Sequence, residues 1–293
     1  MNILVTVLEE KIASGKRIAQ ADKEVIDALK SNGHAVNVVP WHKLLKTDGY
    51  DAVFNLCDGI EGDTRLVEIS IAEYLHSKGI PVTGNTADTF RICSDKLTLK
   101  QALERAKLPV PGLSRDKFPL IVKPIGADAA VGMQKSSIVN SKEEIEKEMA
   151  RIKSGHGMFS FSEIFVPGKE FVVPVLNGKA LRPVEVVFKN PDKLNMLTYK
   201  AKWDKTSNDY QLTSTTVRKE LVKLERLAEQ TCNAVGIRGY ATVDMRVNKS
   251  DVFIIDVNPN CFIGRDSDLV KSAEAMGMSY EKLVEEILNG AIH

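Results

Sequence analysis

The chain has 293 residues, of which 43% are hydrophobic and 27% are charged, an ordinary globular composition. Its 40 Lys and Arg residues balance its 39 Asp and Glu residues to a formal net charge of +1, which argues against a broad polybasic surface for nucleic acid. The apolar runs fall short of the roughly 18 residues that span a bilayer. The N-terminus lacks the basic region of a secretory signal. The four cysteines include no CxxC pair, so we expect a cytoplasmic protein without a disulfide framework or a thiolate zinc site.

Residues 1–92 are predicted to form a small α/β unit. The predicted strands are residues 3–8, 35–39 and 52–55, the predicted helices are 20–31 and 66–78, and residues 80–83 begin a further extended segment. Strands that alternate with helices predict a parallel, doubly wound sheet. The turn after the first strand lacks GxGxxG, so a dinucleotide-dependent dehydrogenase has little support.

The rest of the chain is predicted to form two further units, residues 93–167 and 168–293. The first has a helix at 96–106, strands at 120–124 and 159–166, a loop of small residues between Gly126 and Gly132, and a helix that Ser141 caps and that runs to Lys153. The second has strands at 171–176 and 181–188 joined by an Asn177-Gly178 turn, a polar stretch at 189–216, a helix at 219–235, strands at 240–248 and 252–258, and helices at 269–276 and 280–289.

Polar and apolar residues alternate strictly along one strand of the third unit. Because side chains alternate in a strand, Thr242, Asp244 and Arg246 share one face. Asp256 and Asn258 share one face of the next strand by the same rule. If the two strands pair, two carboxylates and an amide converge as hard oxygen ligands suited to Mg²⁺. A solvated polar face is the alternative.

Other polar residues lie at the ends of predicted strands. Lys123 precedes Pro124 and the small-residue loop, where a lysine beside backbone amides can hold phosphate, although a plain surface lysine is the alternative. Glu163 and Glu170 flank a Pro-Gly turn and can accept from an adenine amino group or ribose hydroxyls, or they are ordinary strand edges. Lys202 lies in the long polar stretch, which predicts either a lid or a disordered insertion.

The order of these residues resembles the ATP-grasp superfamily, and within it the D-alanine–D-alanine ligases and their relatives. The resemblance covers nearly the whole chain and is strong from about residue 80 onward. It implies an α/β (α+β) ATP-grasp fold. Residues 1–92 would be a Rossmann-like pre-ATP-grasp domain, 93–167 the central subdomain and 168–293 the C-terminal subdomain, with ATP between the last two.

The resemblance also implies a role for each matching residue. The nucleotide-binding residues would be Lys96, Lys123, Gly126, Gly132, Glu163, Phe165, Val166, Glu170 and Lys202, with Ala129 and Ala130 in place of the usual loop serines. The metal ligands would be Asp244, Asp256 and Asn258, with Asp256 replacing a more usual Glu, and Ser267 would contact substrate. The catalytic candidates are Lys202, Arg246 and Arg265.

The chemistry that the resemblance implies is ATP-dependent ligation. A substrate carboxylate attacks the γ-phosphate to give an acylphosphate and ADP, and an amine then attacks the acyl carbon and expels phosphate. Mg²⁺, or Mn²⁺, and the lysines would neutralise the charge. The implied partners are small carboxylate and amine molecules of amino-acid or peptide type, without nucleic acid or membrane, and a homodimer is compatible with the family.

Two departures from the family pattern bear on the substrate. Thr242 stands where the ligases usually carry an arginine that stabilises the tetrahedral oxyanion, and loss of such a donor can lower a rate by about 10²–10³. Arg246 and Arg265 are the candidates to replace it. The N-terminal glutamate motif for the first D-alanine has no clear match. We therefore expect a carboxylate–amine ligase with a different substrate, and the alternative is a catalytically altered nucleotide-binding regulator.

Overall fold

The computed structural model describes residues 1–8, 20–42, 45–57, 64–127, 130–189, 195–198, 200, 210–214 and 218–293. The elements of the first two units are β1 (Asn2–Val7), α1 (Gln20–Ser31), β2 (Ala35–Pro40), β3 (Ala52–Asn55), α2 (Thr64–Ser77), α3 (Ala87–Cys93), α4 (Lys96–Arg105), β4 (Leu120–Pro124), β5 (Ile138–Val139), α5 (Lys142–His156) and β6 (Ser160–Ile164). The remaining elements are β7 (Lys169–Leu176), β8 (Lys179–Ala180), β9 (Val184–Phe188), β10 (Tyr210–Ser214), α6 (Arg218–Val235), β11 (Tyr240–Asn248), β12 (Asp251–Asn258), α7 (Asp268–Glu274) and α8 (Tyr280–Ile292). A search of these ranges for a helix with the length and apolarity of a membrane span finds none.

The N-terminal sheet is parallel, as predicted, with the strand order β2-β1-β3. Both of its faces are covered, which is why β1 is an almost continuous apolar run. One face packs on α1 and on the helices at the chain's end, with Ile3, Leu29 and Leu283 in one core. The other face packs on α2 through Leu4 and Leu75. The extended segment predicted at 80–83 is reduced to a single bridge between Val53 and Val82.

The central unit is a small antiparallel sheet, β5-β4-β6, with α5 packed against it. The Ser141 cap is confirmed, because its hydroxyl accepts a hydrogen bond from the Glu144 amide at 3.2 Å. The helix runs on from Lys153 to His156, and it ends where Gly157 adopts a left-handed conformation with φ of 69°. This conformation is open to glycine and rare for other residues.

The C-terminal sheet has the path β10-β9-β7-β11-β12, with β8 paired to β7, and α6 covers one face. The Asn177-Gly178 turn is confirmed, and both residues have positive φ. The return strand predicted at 181–188 is confirmed only from Val184 to Phe188, as β9, and a separate short strand, β8, precedes it at Lys179–Ala180. Pro183 lies in the break and cannot donate to a strand ladder. The polar stretch at 189–216 contains an unpredicted strand, β10, which pairs with β9.

Asn85 links the N-terminal unit to the C-terminal sheet. Its side chain is 3% exposed, and its amide nitrogen donates to the carbonyls of Tyr240 at 2.9 Å and Pro259 at 2.7 Å. Its amide oxygen accepts from the backbone amides of Arg238 at 2.9 Å and Gly239 at 3.2 Å. Tyr240 begins β11 and Pro259 follows β12, so one side chain holds both open ends of this hairpin.

Candidate functional site

The hairpin of β11 and β12 brings the predicted metal ligands together. Asp244 lies directly opposite Asp256, and Thr242 lies opposite Asn258, in antiparallel register. Residues opposite each other in such a pair point to the same face. The predicted strand pairing is therefore confirmed. The two carboxylates are half-buried and Asn258 is exposed, so this face is accessible from outside the sheet.

The donor set of this face suits a hard divalent cation. Within the described ranges, no three His, Cys, Asp or Glu side chains form a group that could hold a metal, so the set consists of two carboxylates and an amide. Mg²⁺ needs few protein ligands when phosphate oxygens supply the others. Backbone amides orient two members of the set, since the Val257 amide donates to Asp256 at 3.0 Å and the Asn260 amide donates to the Asn258 side chain at 2.9 Å. The residues fit Mg²⁺, and metal ligation itself stays a prediction.

Lys96 reaches this face from the central unit. It is the first residue of α4, which Asp95 caps by accepting from the Thr98 amide at 2.7 Å. The backbone amide of Lys96 donates to the Ile125 carbonyl at 2.9 Å, which connects the start of the helix to the residue after β4. The Lys96 Nζ lies 2.5 Å from Asp256 Oδ2. A lysine predicted to bind phosphate thus lies beside a carboxylate predicted to bind metal.

Lys123 and Glu163 form a buried ion pair next to this face. The Lys123 Nζ lies 2.6 Å from Glu163 Oε1 and donates to the Ile255 carbonyl of β12 at 3.3 Å. The other oxygen of Glu163 lies 2.8 Å from the Nζ of Lys100, which also donates to the Pro111 carbonyl. The sequence analysis missed Lys100. Its spacing of four residues from Lys96 on one helix face was the available signal.

Arg246 and Glu170 form a second buried pair, under the predicted adenine-binding segment. They are direct neighbours across β7 and β11. The Nε and one terminal nitrogen of Arg246 donate to Glu170 Oε2 at 3.1 and 2.6 Å. The guanidinium also donates to the Val166 carbonyl at 2.9 Å and to the Asn195 carbonyl, and it lies 4.8 Å from the centre of the Phe165 ring.

These contacts give Arg246 a different place from the one expected. Its hydrogen bonds and its ring contact hold Phe165, Val166 and Glu170 together, so the predicted nucleotide residues of this segment do converge. Its guanidinium is engaged with these groups, and the catalytic role expected for Arg246 stays a prediction. Sequence alternation predicted its strand face and could not identify Glu170 as its partner.

Arg265 and Ser267 have structural contacts of their own. Arg265 is exposed, pairs with Glu281 at 2.7 Å and lies 4.2 Å from the ring centre of Tyr280, both in α8. The hydrogen bond to Glu281 raises the pKa of the Arg265 guanidinium. The catalytic role expected for Arg265 stays a prediction. Ser267 is the N-cap of α7 and accepts from the Val270 amide at 3.2 Å, while its predicted contact with substrate stays a prediction.

The small-residue loop follows β4, which ends at Pro124, the residue after Lys123. Gly126 starts a turn there, Ala130 and Gly132 have positive φ of 62° and 77°, and the Met133 amide donates to the Ala130 carbonyl at 3.0 Å. A Cβ on Gly132 would lie 3.2 Å from Pro124 Cγ, so the loop returns against the end of β4. Ala129 and the predicted phosphate-binding and catalytic residue Lys202 lie outside the described residues.

The cysteines are free and buried. Burial raises the pKa of Cys232 to about 12. Burial, and then the charges of Asp268 and Asp244, also raise the pKa of the Cys261 thiol. Thiols with raised pKa values are poor nucleophiles and poor metal ligands, so the oxygen and ammonium groups are the candidates for the chemistry of this site.

Comparison with known proteins identifies the family. The model of the D-Ala D-Ala ligase C-terminus matches residues 95–289, which is more than half of the chain. The chain belongs to the D-alanine–D-alanine ligase family. It is 27% identical to a D-alanine–D-alanine ligase of Haemophilus ducreyi, over 92% of this chain and 91% of that protein. It is 26% identical to a D-alanine–D-alanine ligase of Actinobacillus succinogenes, over 97% and 96%.

The fold of this family member agrees with a solved structure. The crystal structure of the D-alanine–D-alanine ligase from Bacillus anthracis complexed with ATP superposes with a TM-score of 0.78, at 21% identity, over 100% of this chain and 98% of that one. This likeness concerns the fold. The predicted ATP-grasp fold and the predicted family are therefore confirmed.

Proposed function

We propose that the protein is an ATP-dependent, ADP-forming ligase that joins a small carboxylate to an amine. The observation that carries the proposal is the hairpin in which Asp244 faces Asp256, with Lys96 reaching Asp256 from another unit of the chain. Family membership supports the same reading. Carboxylates and lysines at one place are what a magnesium nucleotide requires, because the metal and the phosphates carry opposite charges.

The nucleotide would lie between the central and C-terminal units, which we propose as residues 93–167 and 168–293. Its base and ribose would be held by Glu163, Phe165, Val166 and Glu170, which the buried pairs of Lys123 and Arg246 keep in place. Its phosphates would be held by Lys96, Lys123, Lys202 and the loop from Gly126 to Gly132. The Bacillus anthracis ligase that shares this fold was crystallised in complex with ATP, which supports the proposal of a nucleotide site.

Asp244, Asp256 and Asn258 would hold Mg²⁺, or Mn²⁺ in its place. Bound there, the metal would supply charge neutralisation for the phosphates. Lys96 would exchange its contact with Asp256 for a phosphate oxygen and so stay neutralised throughout. A substrate carboxylate oxygen would attack the γ-phosphorus with ADP as the leaving group, and the amine would attack the resulting acylphosphate carbon with phosphate as the leaving group.

The acid and amine are proposed to differ from two D-alanines. Thr242 faces Asn258 on the metal face, where it supplies a hydroxyl and no positive charge. Arg246 and Arg265 are engaged with Glu170 and Glu281. A substrate pair whose tetrahedral oxyanion is stabilised without an arginine at position 242 is consistent with these contacts.

A screen of acid and amine pairs tests the proposal. Purified protein with ATP and Mg²⁺ is expected to release phosphate only when one acid and one amine are both present, and mass spectrometry should detect their condensation product. D-alanine alone belongs in the screen as the family reference. Absence of phosphate release with every pair, together with tight ATP binding in calorimetry, would favour the nucleotide-binding regulator. Absence of both would overturn the proposal.

Two substitutions assign the turnover to this site. Lys123→Ala and Asp256→Ala are each expected to abolish phosphate release, because one removes a phosphate contact and the other a metal ligand. Lys169→Ala is the matched control, since its ion pair with Glu185 is on the surface at 3.3 Å. Near-normal turnover in either of the first two variants would count against the site assignment.

A further inference from the structure

A charged cluster on α5 lies outside the residues assigned so far. The carboxylate of Glu148 accepts hydrogen bonds from the Ser136 hydroxyl at 3.0 Å and the Ser137 hydroxyl at 2.6 Å. It also accepts from Arg151, through Nε at 2.9 Å and a terminal nitrogen at 2.7 Å. The residue is 3% exposed. We call these four residues, Glu148, Arg151, Ser136 and Ser137, the Glu148 cluster.

The cluster is built to keep Glu148 ionised. Burial opposes its ionisation, but the hydrogen bonds from Arg151, Ser137 and Ser136 outweigh that effect and hold the pKa of Glu148 below its usual value. A buried carboxylate with this many donors has one preferred orientation. The orientation of the Arg151 guanidinium is therefore fixed, and one of its terminal nitrogens also donates to a further acceptor.

That acceptor belongs to the loop predicted to bind phosphate. The terminal nitrogen of Arg151 donates to the Gly132 carbonyl at 2.6 Å. Gly132 has a φ of 77°, and the space for its Cβ is bounded by Pro124, the residue after Lys123. Arg151 thus fixes the peptide group of Gly132 at the end of the loop. This end of the loop lies against Pro124 of β4, the strand that carries Lys123.

The Glu148 carboxylate also holds the segment that follows the loop in the chain. The Ser137 hydroxyl, which donates to Glu148, also accepts from the Gln134 amide at 3.0 Å. Residues 132–137 are in this way attached to α5 at Gly132, Ser136 and Ser137. A loop whose end is fixed in advance loses less conformational entropy when it binds a ligand.

We propose that Arg151 and Glu148 are positioning residues, which hold the end of the small-residue loop in the conformation that binds the nucleotide phosphates. This inference rests on the proposed function, because it takes the loop to contact ATP. The cluster touches neither the base-binding segment at Phe165 nor the metal face at Asp244 in the described contacts. Its effect should therefore be confined to phosphate binding.

Calorimetric titrations of the full chain with MgATP and with adenosine test the inference. Arg151→Met keeps the side-chain stem and removes the hydrogen bonds, and it is expected to weaken MgATP binding about tenfold, as loss of a hydrogen bond from a charged group does. Adenosine has no phosphate, so its affinity should stay within twofold of the wild-type value. Glu148→Gln releases Arg151 by a different route and should give the same pattern.

The control is Arg115→Met. Arg115 also pairs with a glutamate of α5, Glu146, but both side chains are exposed, and among the described contacts neither reaches the loop. This variant should bind both ligands as the wild type does. If Arg151→Met is too unstable to titrate, Arg151→Lys and Glu148→Gln provide the comparison.

The outcomes separate the inference from the function on which it rests. Unchanged MgATP affinity in Arg151→Met and Glu148→Gln would overturn the inference, and so would an equal loss for adenosine, which indicates general disruption. A wild-type chain that binds neither ligand would overturn the proposed function, and the inference with it.

Discussion

Within the part of the chain that the structure describes, each charged residue assigned to the nucleotide has an opposite charge beside it. Glu163 is the most constrained case, since Lys123 lies at 2.6 Å from one carboxylate oxygen and Lys100 at 2.8 Å from the other. All three residues are buried. Ion pairs of this kind contribute little net stability, but removal of one partner is costly because it leaves a charge uncompensated.

Lys100→Met is therefore expected to lower the free energy of unfolding by about 3 kcal/mol, at the low end for a buried pair because Lys123 still faces Glu163. Urea denaturation followed by circular dichroism measures the change. The matched variant Lys169→Met breaks a surface pair with Glu185 and should cost less than about 1 kcal/mol. Equal effects in the two variants would show that Glu163 does not depend on Lys100.

At this scale, the local pattern predicted some site residues and not their partners. The alternation around Asp244 and Asp256 predicted their faces, because a strand repeats every two residues whatever it pairs with. The pair of Arg246 with Glu170 joins residues 76 positions apart, and nothing local at Arg246 indicates it. Long-range ion pairs depend on which strands become neighbours, which propensity does not specify.

The elements that carry the metal face are held at one end from outside their own sheet. Asn85 uses both of its donors and both acceptor sites on backbone groups at the start of β11 and after β12. Gly239 lies so close to Gly84 that a Cβ there would come within 2.5 Å of the Gly84 carbonyl oxygen. The hairpin is thereby fixed to the N-terminal unit at its open end.

Asn85→Ala is expected to lower the free energy of unfolding by about 2–3 kcal/mol, because four backbone groups lose their partner, three of them in buried hydrogen bonds. The Mg²⁺ concentration needed for half-maximal turnover should also rise, since the strand ends that place Asp244 and Asn258 become free to shift. Urea denaturation and a Mg²⁺ titration of phosphate release measure the two effects.

The control for this variant is Asn32→Ala. Asn32 also connects the N-terminal unit to another element, with bonds to the Glu281 carbonyl at 2.9 Å and to Glu285 at 3.0 Å, but it is exposed and its partners lie on α8 rather than on the hairpin. Its loss should cost about 0.5 kcal/mol and leave the Mg²⁺ requirement unchanged. A normal Mg²⁺ requirement in Asn85→Ala would contradict a role for Asn85 in placing the metal ligands.

Most elements could be predicted from the sequence, because their signals are local. Apolar periodicity, the Ser141 cap and the Asn177-Gly178 turn each act within a few residues. The exceptions are α3, β5, β10 and the break between β8 and β9. Strand β10 lies in a polar stretch and exists because the edge of β9 is available for pairing, a tertiary cause that its own composition does not reveal.

Across the whole molecule, the candidate site is assembled from parts with separate cores. The N-terminal sheet shares a core with the helices at the chain's end, so the first and last parts of the chain are packed as one body. The central sheet has a core of its own with α5. Lys123 connects this central part to β12 through the Ile255 carbonyl, and Lys96 reaches Asp256 from α4, whose Leu99 and Leu103 pack in the core of the C-terminal sheet.

The near-zero net charge is compatible with charges of both signs gathered at one site. A sequence total of +1 excluded a polybasic surface and could not reveal this arrangement, because the pairing of Lys96 with Asp256 spans 160 residues. A ligand that binds lysines of one part and carboxylates of the other should stabilise the molecule as a whole.

MgATP at about one hundred times its dissociation constant is expected to add about 2.7 kcal/mol to the stability of the folded state. For a chain of this length, that corresponds to a rise in melting temperature of about 5 °C or more. Differential scanning fluorimetry measures the rise. AMP with Mg²⁺ should give a smaller rise in melting temperature, because AMP lacks the phosphates that join the lysines to the metal.

Asp256→Asn should reduce the rise that MgATP gives and leave the rise with AMP unchanged, since the amide removes one metal-binding charge from the face opposite Asp244. An equal rise with MgATP in Asp256→Asn and the wild type would show that the nucleotide does not use this face.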